Sequence, residues 1–558
     1  MAWLDTAKRL FLRFYWALVA GLLAVIYYPL LRDDPVIYRD DVALLTPIIR
    51  APSARWFFWY MFSSTNPDVQ PIRDLSFAID VLIARFVGIG TLHAQSLLIW
   101  IGCCALSVSL ARRWVRDELT AKAWGLLFAL HPLYVMTVGW IAARKHLLAL
   151  FFLLLALHAL ARLREAETRP AIRRAAVSLF LAYAASLLSQ PIYLVFPAWL
   201  LVLAFADTGT RAWIRRHRAL ATAIFAGIGS LSAVLFVVNF LHYHAYYLAY
   251  EQKSGKVTSL DLSNVTPAGD ALLALGRYFF QIVAPFKYAV LYSQASIENI
   301  VGLVLLPLFA YLCVSVLGGR RTLLGISFFV LALTIVLTKI RTFFISDPSL
   351  PGASLGIWAL LLALWCEPLA AKATAVRRRI GSLLLPPLAF FLGVQAALAA
   401  RTWQSDERMW ERSYRLEPNC MNSMSYAFIL FAKRRIPEAL EVSDFHYRNQ
   451  CVGEISRPLY YVSAFYHEGI SLAEKIAIVG AETDPHPTRL AILAALYMKN
   501  GQPEEARRTL DTLMAKDSRF WTSLHHVETD PVQDAVRSYC QRVPSFAYCW
   551  LATVKNPN

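Results

Sequence analysis

The chain has 558 residues, 57% of them hydrophobic, with mean hydropathy +0.46 and a formal net charge of +17. Many apolar stretches are long enough to cross about 30 Å of hydrocarbon as helices, which excludes a soluble globular protein and defines a polytopic membrane protein. The charge does not point to nucleic acid: residues 402–558 hold 18 Lys+Arg against 19 Asp+Glu, so the whole excess, 37 against 19, lies in residues 1–401.

The first apolar span runs from about Leu10 to Leu31, behind Lys8 and Arg9. It lacks a small-residue cleavage site and is too long for a signal-peptide core, so it is expected to stay as a signal anchor. Just beyond it stand two adjacent carboxylates, Asp40 and Asp41, in Tyr38-Arg39-Asp40-Asp41. Charge at a bilayer boundary costs free energy unless it is solvated, paired or used, which makes the pair a functional-site candidate. The competing reading is a solvated loop shared with Asp33 and Asp34.

Arginine clusters mark short cytoplasmic loops under the positive-inside rule: Arg112, Arg113 and Arg116; Arg162, Arg164, Arg173 and Arg174; Arg211, Arg215, Arg216 and Arg218; Arg320 and Arg321; Arg377, Arg378 and Arg379. With these fixed, spans fall near 10–31, 91–111, 120–139, 146–162, 175–189, 191–206, 219–240, 299–317, 322–340, 353–367 and 381–400. That makes about 11 crossings. The segment 270–295, flanked at its centre by Arg277 and Lys287, reads as an interfacial or re-entrant helix, because counting it would invert every later loop. Two domains are expected: a transmembrane domain over 1–401, with outer loops 32–90 and 241–298, and an extracytoplasmic helical domain over 402–558. The N-terminus is then cytoplasmic.

Cys420, Cys451, Cys540 and Cys549 fall in the polar C-terminal region, where an oxidising compartment would give two disulfides. Three pairings are open, and closeness along the chain favours Cys420 with Cys451 and Cys540 with Cys549. Their spacing is not that of a zinc site. The same region is faintly repetitive. Ala427 and Ala439 stand twelve apart, as do Ala494 and Ala506, and the two pairs are offset by 67 residues. Two units of a 34-residue tetratricopeptide repeat (TPR) would give 68, with Leu493, Ala494 and Tyr497 in its packing positions; a plain compact helical domain is the other reading.

Several further blocks follow one another along the chain: Asn66-Pro67-Asp68, Ile72-Arg73-Asp74-Leu75-Ser76-Phe77, His131-Pro132-Leu133-Tyr134-Val135, Trp140-Ile141-Ala142-Ala143-Arg144-Lys145, Leu188-Ser189-Gln190-Pro191, Arg277-Tyr278 with Pro285, and Trp403 to Trp410 with Glu417-Pro418-Asn419. With Tyr38-Arg39-Asp40-Asp41 they resemble, in order, the transmembrane and tetratricopeptide-repeat (TMTC-type) O-mannosyltransferases and their bacterial relatives, of the GT-C superfamily. The chain departs from that pattern at Met136, His146 and Gln190, where the family usually carries Glu, Asp and Lys.

The resemblance implies a mainly α fold: a polytopic GT-C-type transmembrane helical domain followed by an α-helical TPR-like extracytoplasmic domain in the bacterial inner membrane. It implies a glycosyltransferase that moves one sugar, mannose or a similar hexose or pentose, from a polyprenyl-phosphate donor to Ser or Thr of an exported protein, gripped by residues 402–558. The residues suit that chemistry independently, since a hydroxyl acceptor needs a base and a departing phosphate needs cations. Asp40 or Asp41 is the expected base, with Asp41 alternatively orienting it, and a single base would give inversion. Arg73, Arg144, Lys145 and Arg277 are the expected donor-phosphate cations, and His131 a sugar or phosphate contact. Arg144 and Lys145 could instead snorkel at a helix end. Beyond Asp40, Asp41 and Asp68 there is no strong set of metal ligands, so transfer is expected to need no metal and no cofactor. The aromatic run Trp56-Phe57-Phe58-Trp59-Tyr60 and the group His242, Tyr243, His244, Tyr246, Tyr247 and Tyr250 read as interfacial belts, with a sugar-stacking platform as the alternative. Two other functions remain open from sequence: the same donor with an envelope glycan or lipid acceptor, and a non-enzymatic scaffold or transporter.

Overall fold

The structure is a computed structural model and describes residues 2–33, 39–63, 66, 68–87, 91–115, 117–254, 267–287, 289–292, 296–337, 350–367, 371–448, 456–481 and 487–516. Within these, the side chains of 2–8, 33, 39–40, 42–43, 247–254, 371–382, 446–448, 456–459, 487–488, 510 and 513–516 are not described. The Asp40 carboxylate, Cys451, Cys540 and Cys549 therefore lie outside the description. All regular structure among the described residues is helical, and the chain divides into two compact units that meet in sequence at Ser405 and Asp406.

Among the described residues, eight helices of the first unit are long and apolar enough to cross a membrane: Arg9–Arg32, Leu92–Trp114, Ile141–Glu165, Arg169–Ser189, Arg218–Tyr246, Ile297–Leu317, Gly319–Leu337 and Leu383–Thr402. This is a multi-pass membrane protein. The other three expected spans are helical but interrupted or short, and in two of them proline is the reason. Glu118–Leu130 and Pro132–Gly139 meet at a 48° bend, which makes them at most a ninth span, because Pro132 forces His131 into extended backbone (φ −68°, ψ 125°). Pro191 does the same to Gln190 (φ −160°, ψ 122°), leaving an 11-residue helix, Phe196–Ala206. Leu350–Cys366 has 17 residues. Among the described residues, length and composition by themselves support eight crossings, or nine with the bent pair.

The segment expected to lie at the interface forms Ala268–Val283, packed against Ile297–Leu317. Their backbones touch: a Cβ on Gly302 would stand 1.9 Å from the Gly276 carbonyl oxygen, so only glycine fits the crossing.

Ion pairs join three of the basic loops. Arg113 at the end of Leu92–Trp114 meets Glu165 at the end of Ile141–Glu165 (2.6 Å), and Arg164 meets Asp207 (2.7 Å). These helices therefore share one basic end, and whatever stands at their other ends stands at the opposite side of the bundle.

The second unit is a run of consecutive helices from Asp406–Leu416 to Pro503–Lys516. Two of its helical hairpins superpose in their hydrogen bonding with an offset of 67. Lys433 N–H to Ile429 O, Arg434 N–H to Phe431 O and Arg435 N–H to Leu430 O recur as Asn500 to Leu496, Gly501 to Met498 and Gln502 to Tyr497. Ala427, Ala439, Ala494 and Ala506 are all buried, where small residues let the paired helices approach. Both turns pass through the left-handed region, at Arg434 (φ 61°) and Gly501 (φ 70°), which closes a helix C-terminus cheaply only with glycine. Arg434→Gly should therefore raise the stability of this unit by roughly 0.5–1 kcal/mol, and Gly501→Ala should lower it by about 1 kcal/mol. Thermal unfolding of the two variants checks both signs; equal melting points would contradict the assignment of strain to these turns. Cys420 is disulfide-bonded.

Candidate functional site

The helix Pro71–Val87 is inside out. Its buried face carries Arg73, Asp74, Ser76, Phe77 and Asp80, whereas Leu75, Ile79, Leu82, Ile83, Phe86 and Val87 are exposed. A soluble helix puts its apolar stripe inward. The inversion is stable only where the outer face meets lipid and the inner face meets partners for its charges.

Those partners are present. The Arg73 guanidinium is fully buried and bonds Asp74 (2.8 Å), Asp68 (3.1 Å), Gln70 Oε1 (3.0 Å) and Asn66 Oδ1 (3.3 Å). Asn66 Nδ2 donates to Asp74 (2.9 Å), and Gln70 donates its amide to Gln190, the residue unwound by Pro191. His242, at the far end of Arg218–Tyr246, donates from Nε2 to the Asn66 carbonyl (2.6 Å). Burial first, then the charge of Asp74, push the nearby Tyr60 hydroxyl up to about 12, so it stays protonated at neutral pH.

Lys145 reaches the same cluster from the start of Arg144–Glu165, with Nζ 3.7 Å from Asp68. Asp68 is 34% exposed and Lys145 21%, while Arg73 is closed off. The accessible part of the cluster is thus one carboxylate and one ammonium. Asp41 is buried too; its carboxylate accepts from the Ala142 N–H (2.7 Å), three residues before Lys145. A carboxylate at that place suits the positive end of the helix that follows and holds the Trp140–Lys145 segment in place.

The remaining expected contacts lie elsewhere. Arg144, fully buried, bonds Asp80, Gln95, the Leu92 carbonyl and Ser96 Oγ (3.1 Å), with its guanidinium 4.8 Å from the centre of the Phe77 ring. It is neither a snorkelling residue nor exposed to a ligand. His131 uses both ring nitrogens within the protein: Nδ1 accepts from Leu133 N–H (3.3 Å), so Nε2 carries the proton and donates to the Ile282 carbonyl (3.1 Å). Arg277 belongs to a second cluster, with Glu298 (3.3 Å), Ser296 (3.3 Å) and the Tyr292 ring (4.0 Å), where Lys287 also meets Glu298 (3.0 Å). In the aromatic run, Phe57 and Tyr60 are buried while Phe58 and Trp59 face out.

The Asp68 cluster stands at the start of Ile141–Glu165 and at the ends of Arg169–Ser189 and Arg218–Tyr246. It is therefore at the end of the bundle opposite the paired arginine loops. Asp68 as the junction of two cations, Asp74 and Asp80 as counter-ions, and the Gln70–Gln190 link were missed from sequence. The visible signal was the spacing of charges along 73–80 among outward apolar residues. Among the described residues no group of three or more His, Cys, Asp and Glu side chains is placed to hold a metal ion. Comparison with protein-family models, with curated proteins and with solved structures finds no match.

Proposed function

We propose that this protein is a GT-C-type glycosyltransferase that moves a single sugar from a polyprenyl-phosphate donor to Ser or Thr of an exported protein on the outer face of the membrane. The observation that carries the reading is the buried charged cluster behind a lipid-facing, inside-out helix, at the bundle end away from the basic loops. A polar centre at membrane level, open through Lys145 and Asp68, suits a substrate with a lipid tail and a charged, hydroxylated head. The positive-inside rule puts the arginine loops in the cytoplasm and the cluster outside. The disulfide at Cys420 supports an oxidising compartment for the second unit.

In the step itself, the acceptor hydroxyl oxygen forms a bond to the anomeric carbon as the bond from that carbon to the phosphate oxygen breaks. The electron pair leaves with the phosphate, and the hydroxyl proton goes to Asp40, so the anomeric centre inverts. Asp41, through Ala142, positions the segment that carries Lys145, and Lys145 takes the charge developing on the phosphate. The 67-residue repeat of the second unit, read as TPR-like, presents the acceptor protein.

The test is transfer by purified full-length protein in nanodiscs, with radiolabelled undecaprenyl-phosphate mannose and a Ser/Thr-rich acceptor protein. Label should appear on the protein with wild type. A chain ending after Thr402 should bind donor as before and lose that modification. Full-rate modification by the truncated chain would move an envelope glycan or lipid ahead as acceptor, and absence of any sugar transfer by the intact protein would remove the enzyme reading.

A further inference from the structure

Among the described residues the ion-paired charges around Asp68 balance: Arg73 and Lys145 stand against Asp68 and Asp74. A bare phosphate gains less here than Lys145 alone would give it, because Asp68 shares the accessible cation and repels the newcomer. A neutral polyhydroxyl group meets the opposite situation. Around the partly exposed Asp68 carboxylate stand Asn66, whose Oδ1 accepts from the Asp68 N–H (3.3 Å), Lys145 and His146. His146, the residue after Lys145, is buried, and its Nδ1 has no hydrogen-bond partner among the described residues. A buried ring nitrogen left without a partner costs free energy, which a ligand hydroxyl would recover. Carboxylate, amide, ammonium and imidazole are the planar and multi-donor groups that read adjacent hydroxyls.

We infer that Asp68, with Lys145 and His146, is a sugar-hydroxyl subsite that distinguishes the glycosylated lipid from the bare lipid phosphate left after transfer. The inference rests on the proposed donor class. Two hydroxyls donating to Asp68 compensate the repulsion between its carboxylate and the donor phosphate. Once the sugar has gone, the repulsion remains and the product is expelled.

The test compares wild type and Asp68→Asn, both full length in nanodiscs, for binding of undecaprenyl-phosphate mannose and of undecaprenyl phosphate. Asparagine keeps the shape and an acceptor for Arg73, so folding is preserved. Wild type should prefer the sugar-bearing lipid by about tenfold or more, the worth of one hydrogen bond to a charged group. Asp68→Asn should abolish that preference and bind undecaprenyl phosphate more tightly than wild type does. A merely structural role would weaken both lipids together, and that result, or an unchanged preference, overturns the inference. A second measurement separates the two readings: methyl pyranosides of mannose, glucose and galactose at millimolar concentration, observed by saturation-transfer NMR. Sugar contact in wild type that is lost in Asp68→Asn and in His146→Ala upholds the subsite even where no transfer is found. Absence of contact with all three sugars overturns the subsite even where transfer occurs.

Discussion

Asp40→Asn and Asp41→Asn are each expected to fold, and at least one should lower sugar transfer by about 10²–10⁴-fold, the usual contribution of a positioned base. The two losses should differ in kind. Asp41 is 1% exposed and committed to the Ala142 N–H, so it acts through the backbone that leads to Lys145. Asparagine at 41 keeps an acceptor for that N–H but removes the charge beside a helix N-terminus, worth up to about 2 kcal/mol when partly buried. Its effect should appear mainly as a raised KM for the lipid donor. Asp40→Asn, which removes the proposed proton acceptor, should lower kcat and leave KM near wild type. Initial rates across a donor titration separate the two patterns, and wild-type turnover in both variants would end the assignment of the base to this pair.

Much of the architecture was legible because apolar length is a local property. Each of the eleven apolar segments placed from the sequence contains a helix among its described residues, and the segment expected at the interface forms the separate short helix Ala268–Val283. The differences come from single residues that act locally in a way hydropathy averages away: Pro132 turns His131 extended and divides a stretch that reads as one span, and Pro191 turns Gln190 extended and shortens the helix that follows. The repeat was legible for the same reason, as two alanine pairs at one offset, although the left-handed turn at Arg434 carries no glycine to announce it.

The site was legible as a set of charges and not as a set of pairs. Arg73, Arg144, Lys145 and Arg277 all read as outer-end cations, and composition cannot tell which of them keeps its charge for a ligand. That depends on carboxylates far away in sequence. Asp80 lies 64 residues before Arg144, and Asp68 lies in a loop 77 residues before Lys145. The spacing along 73–80 did hold usable information, since charges on one helical face with leucine, isoleucine and phenylalanine on the other indicate a polar interior at lipid depth.

Arg144 and Lys145 are neighbours in sequence, and their replacement should give opposite results. Arg144→Leu leaves the Asp80 carboxylate buried, with Thr91 Oγ1 still donating to it (2.7 Å) but its counter-ion gone. Removing one partner of a buried pair costs about 3–5 kcal/mol, enough to unfold a large fraction of a marginally stable protein. Adding Asp80→Leu to Arg144→Leu should recover most of that loss, because the orphaned charge goes with it. Lys145→Met removes an ammonium that is partly solvated and 3.7 Å from a carboxylate that is itself a third exposed, so stability should change by less than about 1 kcal/mol. Its donor affinity should instead fall by about 10–100-fold, as expected for a lost hydrogen bond to a charged phosphate. Thermal unfolding in detergent together with donor titration reads both outcomes. A stable Arg144→Leu protein with weakened donor binding would return Arg144 to the phosphate site and make its bonds to Asp80 and Gln95 a resting arrangement that the ligand displaces.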